Sequence, residues 1–112
     1  MRILSVETDE HLYTGEDLKE NLRLTAGRHV AIEYRAIDFK THPQKRQYRY
    51  RIVRANGEFE RDWQMIRGST LDYIFRKPGA YTFEVVAIDR NLNYSQSSRM
   101  ALKVIPPWLL LH

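Results

Sequence analysis

Residues 75–89, which read FRKPGAYTFEVVAID, decide how this chain folds. Pro78 and Gly79 predict a turn, because proline presets its own φ and glycine adopts a positive φ without a Cβ clash. Beyond the turn, aromatic and β-branched side chains alternate with others. One face carries Tyr81, Phe83, Val85 and Ala87, and the other carries Thr82, Glu84 and Val86. This period of two predicts a half-buried β-strand.

The position of Tyr81 just after the turn is typical of the tyrosine corner of β-sandwiches. In that corner the phenol hydroxyl bonds to the backbone a few residues upstream. We therefore predict that Tyr81 is buried and that its hydroxyl is bonded to nearby backbone.

The remaining chain contains further short segments with strand-like alternation and turn residues between them. These segments are residues 3–7, 21–24, 29–38, 47–54, 59–67, 69–76 and 98–105. Residues 8–19 are polar and are predicted to form a loop. About seven short strands, without a helical period of 3.6 residues, predict an all-β sandwich.

The length of 112 residues predicts a single domain, residues 1–112, with Pro106 and Pro107 at its C-terminal edge. The absence of cysteine excludes disulfides and thiolate metal sites. The formal net charge is +4, which is compatible with nucleic acid, an anionic membrane surface or acidic polysaccharide. Because the basic residues are spread along the chain, we expect charge alone to specify none of these partners, and we expect no nucleic acid.

No signal peptide is visible at the N-terminus, and the C-terminal apolar run, residues 108–111, is far shorter than the ~20 residues needed to span a bilayer. These features predict a soluble domain.

Catalytic and metal-binding patterns are absent from the sequence. The four histidines, His11, His29, His42 and His112, have no metal-ligand spacing, and there is neither a nucleophile elbow nor a phosphate loop. We predict no enzymatic activity, no cofactor and no metal site.

Two short motifs lie near residue 90. Residues 89–93 resemble the start of a calcium loop but lack its glycine and glutamate, so we predict a hairpin turn there, with Asp89 and Asn91 as the calcium candidates to check. Residues 93–95 form a glycosylation sequon by spacing alone, and nothing else supports a eukaryotic secretory context.

Three arginines, Arg35, Arg49 and Arg51, could share the outer face of two strands. With tyrosines nearby, this pattern is compatible with binding of single-stranded nucleic acid or sugar. We favour a solvated sheet face in which the arginines pair across strands with Glu33 or Glu84, because the tyrosines alternate away from the arginines.

The chain resembles the three-tyrosine (Y_Y_Y) domain of two-component regulators. The family pattern is a Tyr-x-Tyr strand, a tryptophan, a tyrosine before a Pro-Gly-x-Tyr-x-Phe-x-Val corner, and a final Pro-Pro-Trp. The matching residues are Tyr48, Tyr50, Trp63, Tyr73, Pro78, Gly79, Tyr81, Phe83, Val85, Pro106, Pro107 and Trp108. Two loops depart from the pattern: Asn93-Tyr94-Ser95 replaces a Gly-x-Trp-Ser-like element, and the segment between Tyr50 and Trp63 is longer than usual.

The resemblance implies an immunoglobulin- or fibronectin III-like sandwich of about seven antiparallel strands, without catalysis. It implies a signal-relay module on the periplasmic or extracellular side of a bacterial cytoplasmic membrane, between a propeller-like sensor domain and a membrane helix. Family members often belong to hybrid histidine kinases that respond to polysaccharide fragments, so carbohydrate would act through the parent chain. The Pro-Pro-Trp element would approach the bilayer, whose interface tryptophan favours.

Two further expectations follow. Residues 108–111 would form an exposed apolar patch, so we expect a homodimer in which this tail and a strand edge contribute to the contact. The alternative function is a carbohydrate-associated or adhesive β-sandwich attached to an extracellular enzyme or surface protein.

Overall fold

The computed structural model describes residues 2–9, 11–18, 22–36, 47–88, 94 and 97–108. These residues form nine β-strands and one short 3-10 helix, Gly15–Leu18. The strands are β1 (Arg2–Glu7), β2 (Leu12–Thr14), β3 (Leu22–Thr25), β4 (His29–Arg35), β5 (Gln47–Arg54), β6 (Phe59–Ile66), β7 (Thr70–Ile74), β8 (Gly79–Ile88) and β9 (Ser98–Ile105). Within these ranges no helix is long and apolar enough to cross a membrane.

The strands form two sheets, with the orders β2-β1-β4-β7 and β3-β9-β8-β5-β6. The predicted all-β sandwich is confirmed, with nine strands where about seven were expected. Strand β2 lies within the predicted loop, because its three residues are too few to carry an alternation pattern. The pairing of β3 with β9 is parallel rather than antiparallel, and β2 and β3 lie in different sheets.

The core lies between the inner faces of the two sheets. In its middle, Phe83 on β8 lies between Ile52 on β5 and Met100 on β9. Tyr34 and Ile32 on β4 and Leu71 on β7 are buried in the facing sheet. Burial of each of the apolar side chains among them, such as Phe83, Ile52 and Leu71, stabilises the fold by roughly 1.5–3 kcal/mol.

Strand β8 is more buried than its alternation predicts. From Phe83 to Ile88 every residue is buried, including Glu84 and Val86 on the face that was expected to contact solvent. The expectation of a half-buried strand is therefore wrong for this part of β8. The reason is its central position, because long side chains from the neighbouring strands cover its outer face.

The tyrosine corner is confirmed. Tyr81 is buried, and its hydroxyl donates a hydrogen bond of 2.6 Å to the carbonyl oxygen of Lys77. The Phe75 ring lies 5.1 Å from the Tyr81 ring, centroid to centroid. Gly79 has a φ of 150°, which L side chains rarely adopt, so the corner requires glycine at this position.

A second tyrosine, Tyr34, differs from Tyr81 in the hydrogen bonding of its hydroxyl. Tyr34 is fully buried, and its hydroxyl has no hydrogen-bond partner in the part of the chain that the structure describes. Its ring packs edge-on against Tyr48, with 4.9 Å between centroids. Burial of an unpaired hydroxyl is unfavourable, since the group loses its bonds to water.

Tyr34→Phe is therefore expected to leave the free energy of unfolding unchanged or to raise it by about 1 kcal/mol, because it removes only an unpaired hydroxyl. Urea denaturation followed by far-UV circular dichroism measures the effect. A fall as large as that produced by removing the bonded hydroxyl of Tyr81 would contradict the interpretation.

Candidate functional site on the five-stranded sheet

The described residues contain no group of three or more His, Asp or Glu side chains that could hold a metal ion. The Nε2 atom of His29 lies 3.0 Å from a carboxylate oxygen of Asp72, and both side chains are exposed. His42, His112, the calcium candidates Asp89 and Asn91, and the sequon residues Asn93 and Ser95 lie outside the described residues. The predicted hairpin turn at residues 89–93 lies outside them too.

Exposed aromatic residues and charged residues are grouped on one face of the five-stranded sheet. This face points away from the other sheet and is here called the outer face. The register of β6, β5, β8, β9 and β3 places side chains of alternate residues on it. They include Phe59, Trp63, Met65, Arg49, Arg51, Val53, Thr82, Glu84, Val86, Arg99, Ala101, Lys103 and Arg23.

Strand β6, at the edge of this sheet, places aromatic residues on the outer face because its pairing with β5 contains two irregularities. Between Tyr50 and Ile52, and again between Ile52 and Val53, its register with β5 shifts by one residue. A regular strand would place positions 59, 61, 63 and 65 on one face. Here Arg61 turns to the inner side instead, where its guanidinium carbon lies 5.6 Å from the centroid of the Tyr73 ring. Such bulges also make an edge strand a poor template for pairing with another chain.

The aromatic and sulfur-containing side chains on this face remain accessible. The exposed fractions are 50% for Phe59, 38% for Trp63 and 56% for Met65. Tyr94, which forms an isolated bridge with Ile88, is 57% exposed. Trp63 and Tyr94 both line a shallow hollow of about 390 Å³. Exposed aromatic residues grouped in this way are characteristic of binding surfaces.

Beneath this surface lies a buried carboxylate. Glu84 accepts a hydrogen bond of 2.6 Å from Nε of Arg51 and one of 3.0 Å from Nε of Arg99. Burial alone would raise the pKa of Glu84, but hydrogen bonds from Ser97, Arg99 and Arg51 outweigh it and hold that pKa below its ordinary value. Glu84 is therefore ionised at neutral pH.

Arg51 connects this carboxylate to the aromatic edge. Its guanidinium carbon lies 4.7 Å from the Trp63 ring centroid and 5.8 Å from that of Phe59, within the range of cation–π attraction. A chain of contacts thus runs from Trp63 through Arg51 and Glu84 to Arg99, across four adjacent strands. The Arg51 guanidinium thus contacts both the buried carboxylate and the Trp63 ring.

The arginine hypothesis is partly wrong. Arg35 lies on β4 in the other sheet, so it shares no face with Arg49 and Arg51. Pairing of Arg51 with Glu84 is confirmed, but the carboxylate is buried rather than solvated. Glu33 accepts a hydrogen bond of 3.4 Å from the hydroxyl of Ser5 instead. The alternation of β5 and β8 was enough to predict the Arg51–Glu84 pair. The pairing of Arg99 with Glu84 depends on the order of the strands in the sheet.

The motif residues occupy three environments. Tyr48, Tyr50, Tyr81 and Phe83 are in the core, and Tyr73 packs against it with its ring 4.8 Å from that of Phe75. Pro78 and Gly79 form the corner, and Trp63 lies on the outer face. Pro106 and Pro107 follow β9, and Trp108 is 62% exposed. The tail beyond Trp108 lies outside the described residues.

A larger hollow of about 820 Å³ opens at the end of the sandwich where β9 finishes. Its walls include Asp9 and Arg28, which lie 3.8 Å apart as an exposed ion pair, together with Pro78 and Pro106. Arg23 and Lys103 of the outer face also line this hollow, so the two surfaces meet there. The hollow contains neither the exposed aromatic residues nor the buried carboxylate, so the outer face is the better candidate site.

Comparisons with known proteins agree on the fold. No family model matches the chain, and no curated protein matches it. Two solved extracellular domains from B. thetaiotaomicron, each described as part of a hybrid two-component system, superpose with TM-scores of 0.65 and 0.64. Their identities are 14% and 19%, with 98% and 94% of this chain covered but only 16% and 15% of theirs.

A family 76 glycoside hydrolase from a bovine B. thetaiotaomicron strain is less similar, with a TM-score of 0.51 and 12% identity over 90% of this chain and 20% of that one. At such identities the likeness establishes a shared β-sandwich fold. The chain spans about one-sixth of the length of the extracellular domains it matches.

Proposed function

We propose that this chain is a noncatalytic relay module in the extracytoplasmic part of a two-component-type receptor of a bacterial cytoplasmic membrane. It lies there between a propeller-like sensor domain and a transmembrane helix. The observation that carries the proposal is the agreement of motif and fold. The chain resembles the three-tyrosine pattern from Tyr48 to Trp108, and 94–98% of the chain superposes on extracellular domains described as parts of hybrid two-component systems.

The sheet topology suits a relay. The first strand, β1, is paired on both sides by β2 and β4, and the last strand, β9, is paired on both sides by β3 and β8. A displacement applied to either strand is therefore carried by two ladders of hydrogen bonds and by the core between the sheets. Pro106 and Pro107 directly follow β9, and their restricted φ angles make a stiff exit from the module.

The test uses the receptor whose reading frame contains this chain. A flexible Gly-Ser insertion between Ile105 and Pro106 should abolish the output response while the sensor domain still binds its ligand. The matched control places the same insertion in the turn at Asn56-Gly57, away from the exit, and should leave the response intact. Equal responses from both insertions, or a reading frame without a membrane helix, would overturn the proposal.

We also propose that the module forms a weak homodimer, because Trp108 is exposed and three leucines follow it. In sedimentation velocity the intact chain is expected to dimerise with rising concentration, whereas a chain ending at Pro107 stays monomeric. The affinity is expected to be modest, since neighbouring domains of a parent receptor would add avidity. Monomers in both samples at high concentration would contradict the dimer.

A second candidate function, a carbohydrate-associated or adhesive module, is favoured by one observation, the exposed aromatic and basic outer face. The reading frame separates the two functions, because a glycosidase in the same chain would support the second and a membrane helix with a kinase would support the first.

A further inference from the structure

The outer face concentrates the positive charge that is spread along the sequence. Among the described strand residues on it, five side chains are basic and one, Glu84, is acidic. The basic residues are Arg23, Arg49, Arg51, Arg99 and Lys103. The described residues on this face therefore sum to a charge of +4, and the formal net charge of the whole chain is also +4.

Only some of these cations are neutralised. Arg51 and Arg99 bind Glu84, whereas Arg23, Arg49 and Lys103 make no ion pair with any residue that the structure describes. Arg23 lies directly opposite Lys103 in the β3–β9 pair. Like charges in this position repel each other, so a bound anion would remove a destabilising contact.

Between the basic and the aromatic side chains, the outer face is lined by short side chains. Val53, Thr82 and Ala101 are cross-strand neighbours on β5, β8 and β9, and all three side chains are short. Phe59 and Trp63 stand along β6 on one side, and Arg23 and Lys103 lie towards the other. This arrangement gives a ligand apolar rings to pack on and cations to bind on opposite sides of one shallow trough.

The amount and spacing of the positive charge on the outer face indicate which kind of ligand it would bind. Two copies of this face would place like charges together, which disfavours a dimer through it. A protein that contacts about 6–10 phosphates owes its nucleic-acid affinity to those contacts, and the three cations here that pair with no described residue could make only some of them. These cations lie in two places roughly 20 Å apart, since six strand residues at about 3.3 Å each separate their rows. Sparse cations and exposed aromatic rings fit a polymer of sugar rings with occasional acidic groups.

We propose that the outer face binds an anionic oligosaccharide. Sugar rings pack against Trp63 and Tyr94, and carboxylate or sulfate groups bind Arg49 at one end and the Arg23–Lys103 pair at the other. This inference does not depend on the relay function, and it deepens the second candidate function by naming the ligand class of the outer face.

The test is titration calorimetry of the intact chain with oligogalacturonate and with a heparin oligosaccharide, each longer than ~20 Å, the span of the face. An uncharged cello-oligosaccharide of the same length and single-stranded oligo-dT serve as comparisons. We expect at least one anionic glycan to bind more tightly than both comparisons, with affinity falling as salt rises.

The variants Trp63→Ala and Arg23→Ala should each weaken that binding by about tenfold or more, as expected for anchor residues of an interface. Trp63→Phe, which keeps a ring at the position, should weaken it less and guards against loss of folding, which circular dichroism checks in every variant. The matched control is Arg35→Ala, which removes one exposed charge from the four-stranded sheet, where Arg35 also faces an arginine, Arg2. It should bind as the parent does.

Four outcomes would overturn the proposal: no binding of either anionic glycan, equal binding of the uncharged glycan, equal weakening by Arg35→Ala, or tighter binding of oligo-dT. The last would make the face a nucleic-acid surface. None of them affects the receptor experiment, so the failure of this inference and the failure of the relay function are distinguishable.

Discussion

Tyr81→Ala is expected to lower the free energy of unfolding by about 3–5 kcal/mol, as do other deletions of large core side chains. The substitution removes a buried ring that packs against Phe75, and it leaves the carbonyl of Lys77 without its hydroxyl donor. It also loosens the corner that sets the start of β8 against β5 and β9. Urea denaturation midpoints of the parent and variant proteins measure the loss.

The contributions of the Tyr81 ring and of its hydroxyl to stability can be measured separately. Tyr81→Phe keeps the ring and removes only the hydrogen bond, so it is expected to cost about 1 kcal/mol. Tyr34→Phe is its matched control, because that hydroxyl is also buried but has no partner in the described structure. The two variants should shift the midpoint differently. An unchanged midpoint for Tyr81→Ala would disprove the assignment of Tyr81 to the core.

Glu84→Gln is the substitution with the second large expected effect. It should lower the free energy of unfolding by roughly 1.5–3 kcal/mol near neutral pH, the range for hydrogen bonds to charged groups. The amide retains the shape of the side chain but cannot neutralise Arg51 and Arg99. The loss stays below that of breaking a fully buried pair, because the Arg99 side chain is 67% exposed and water can solvate it.

The pH dependence of this effect has a definite sign. The pKa of Glu84 is lower in the folded than in the unfolded protein, where it is near 4.5. The carboxylate therefore contributes its full stabilisation above that pH, and the contribution is lost as the pH falls through the folded pKa. The difference between parent and Glu84→Gln should shrink steadily as the pH falls below about 4.5.

Urea denaturation of both proteins at neutral and at acidic pH tests this expectation. Asp72→Asn is a suitable control, because the Asp72 carboxylate is exposed and its partner His29 is exposed too. Exposed pairs contribute only about 0–1 kcal/mol, so this variant should change little at either pH. A difference for Glu84→Gln that persists undiminished at acidic pH would contradict the ionised, arginine-bound state.

The sequence predicted those parts of the molecule that depend on neighbouring residues. Alternation with a period of two identified β4, β5, β8 and β9, because a strand facing a core repeats every second residue. The order Pro78, Gly79, Tyr81 predicted the corner and its hydroxyl bond, since a turn and the residue after it are set locally. The sandwich and its aromatic core followed from these elements.

The tertiary structure decided what depends on the pairing of strands distant in sequence. Strand order placed β8 at the centre of its sheet and buried Glu84 between arginines from β5 and β9. Two register shifts in β6 turned Arg61 inward and left Phe59 and Trp63 outside, although the sequence spacing gives all three one parity. Basic residues far apart along the chain met on one face for the same reason. A local pattern assigns a side chain to one of two faces, but only long-range pairing determines what else lies on that face.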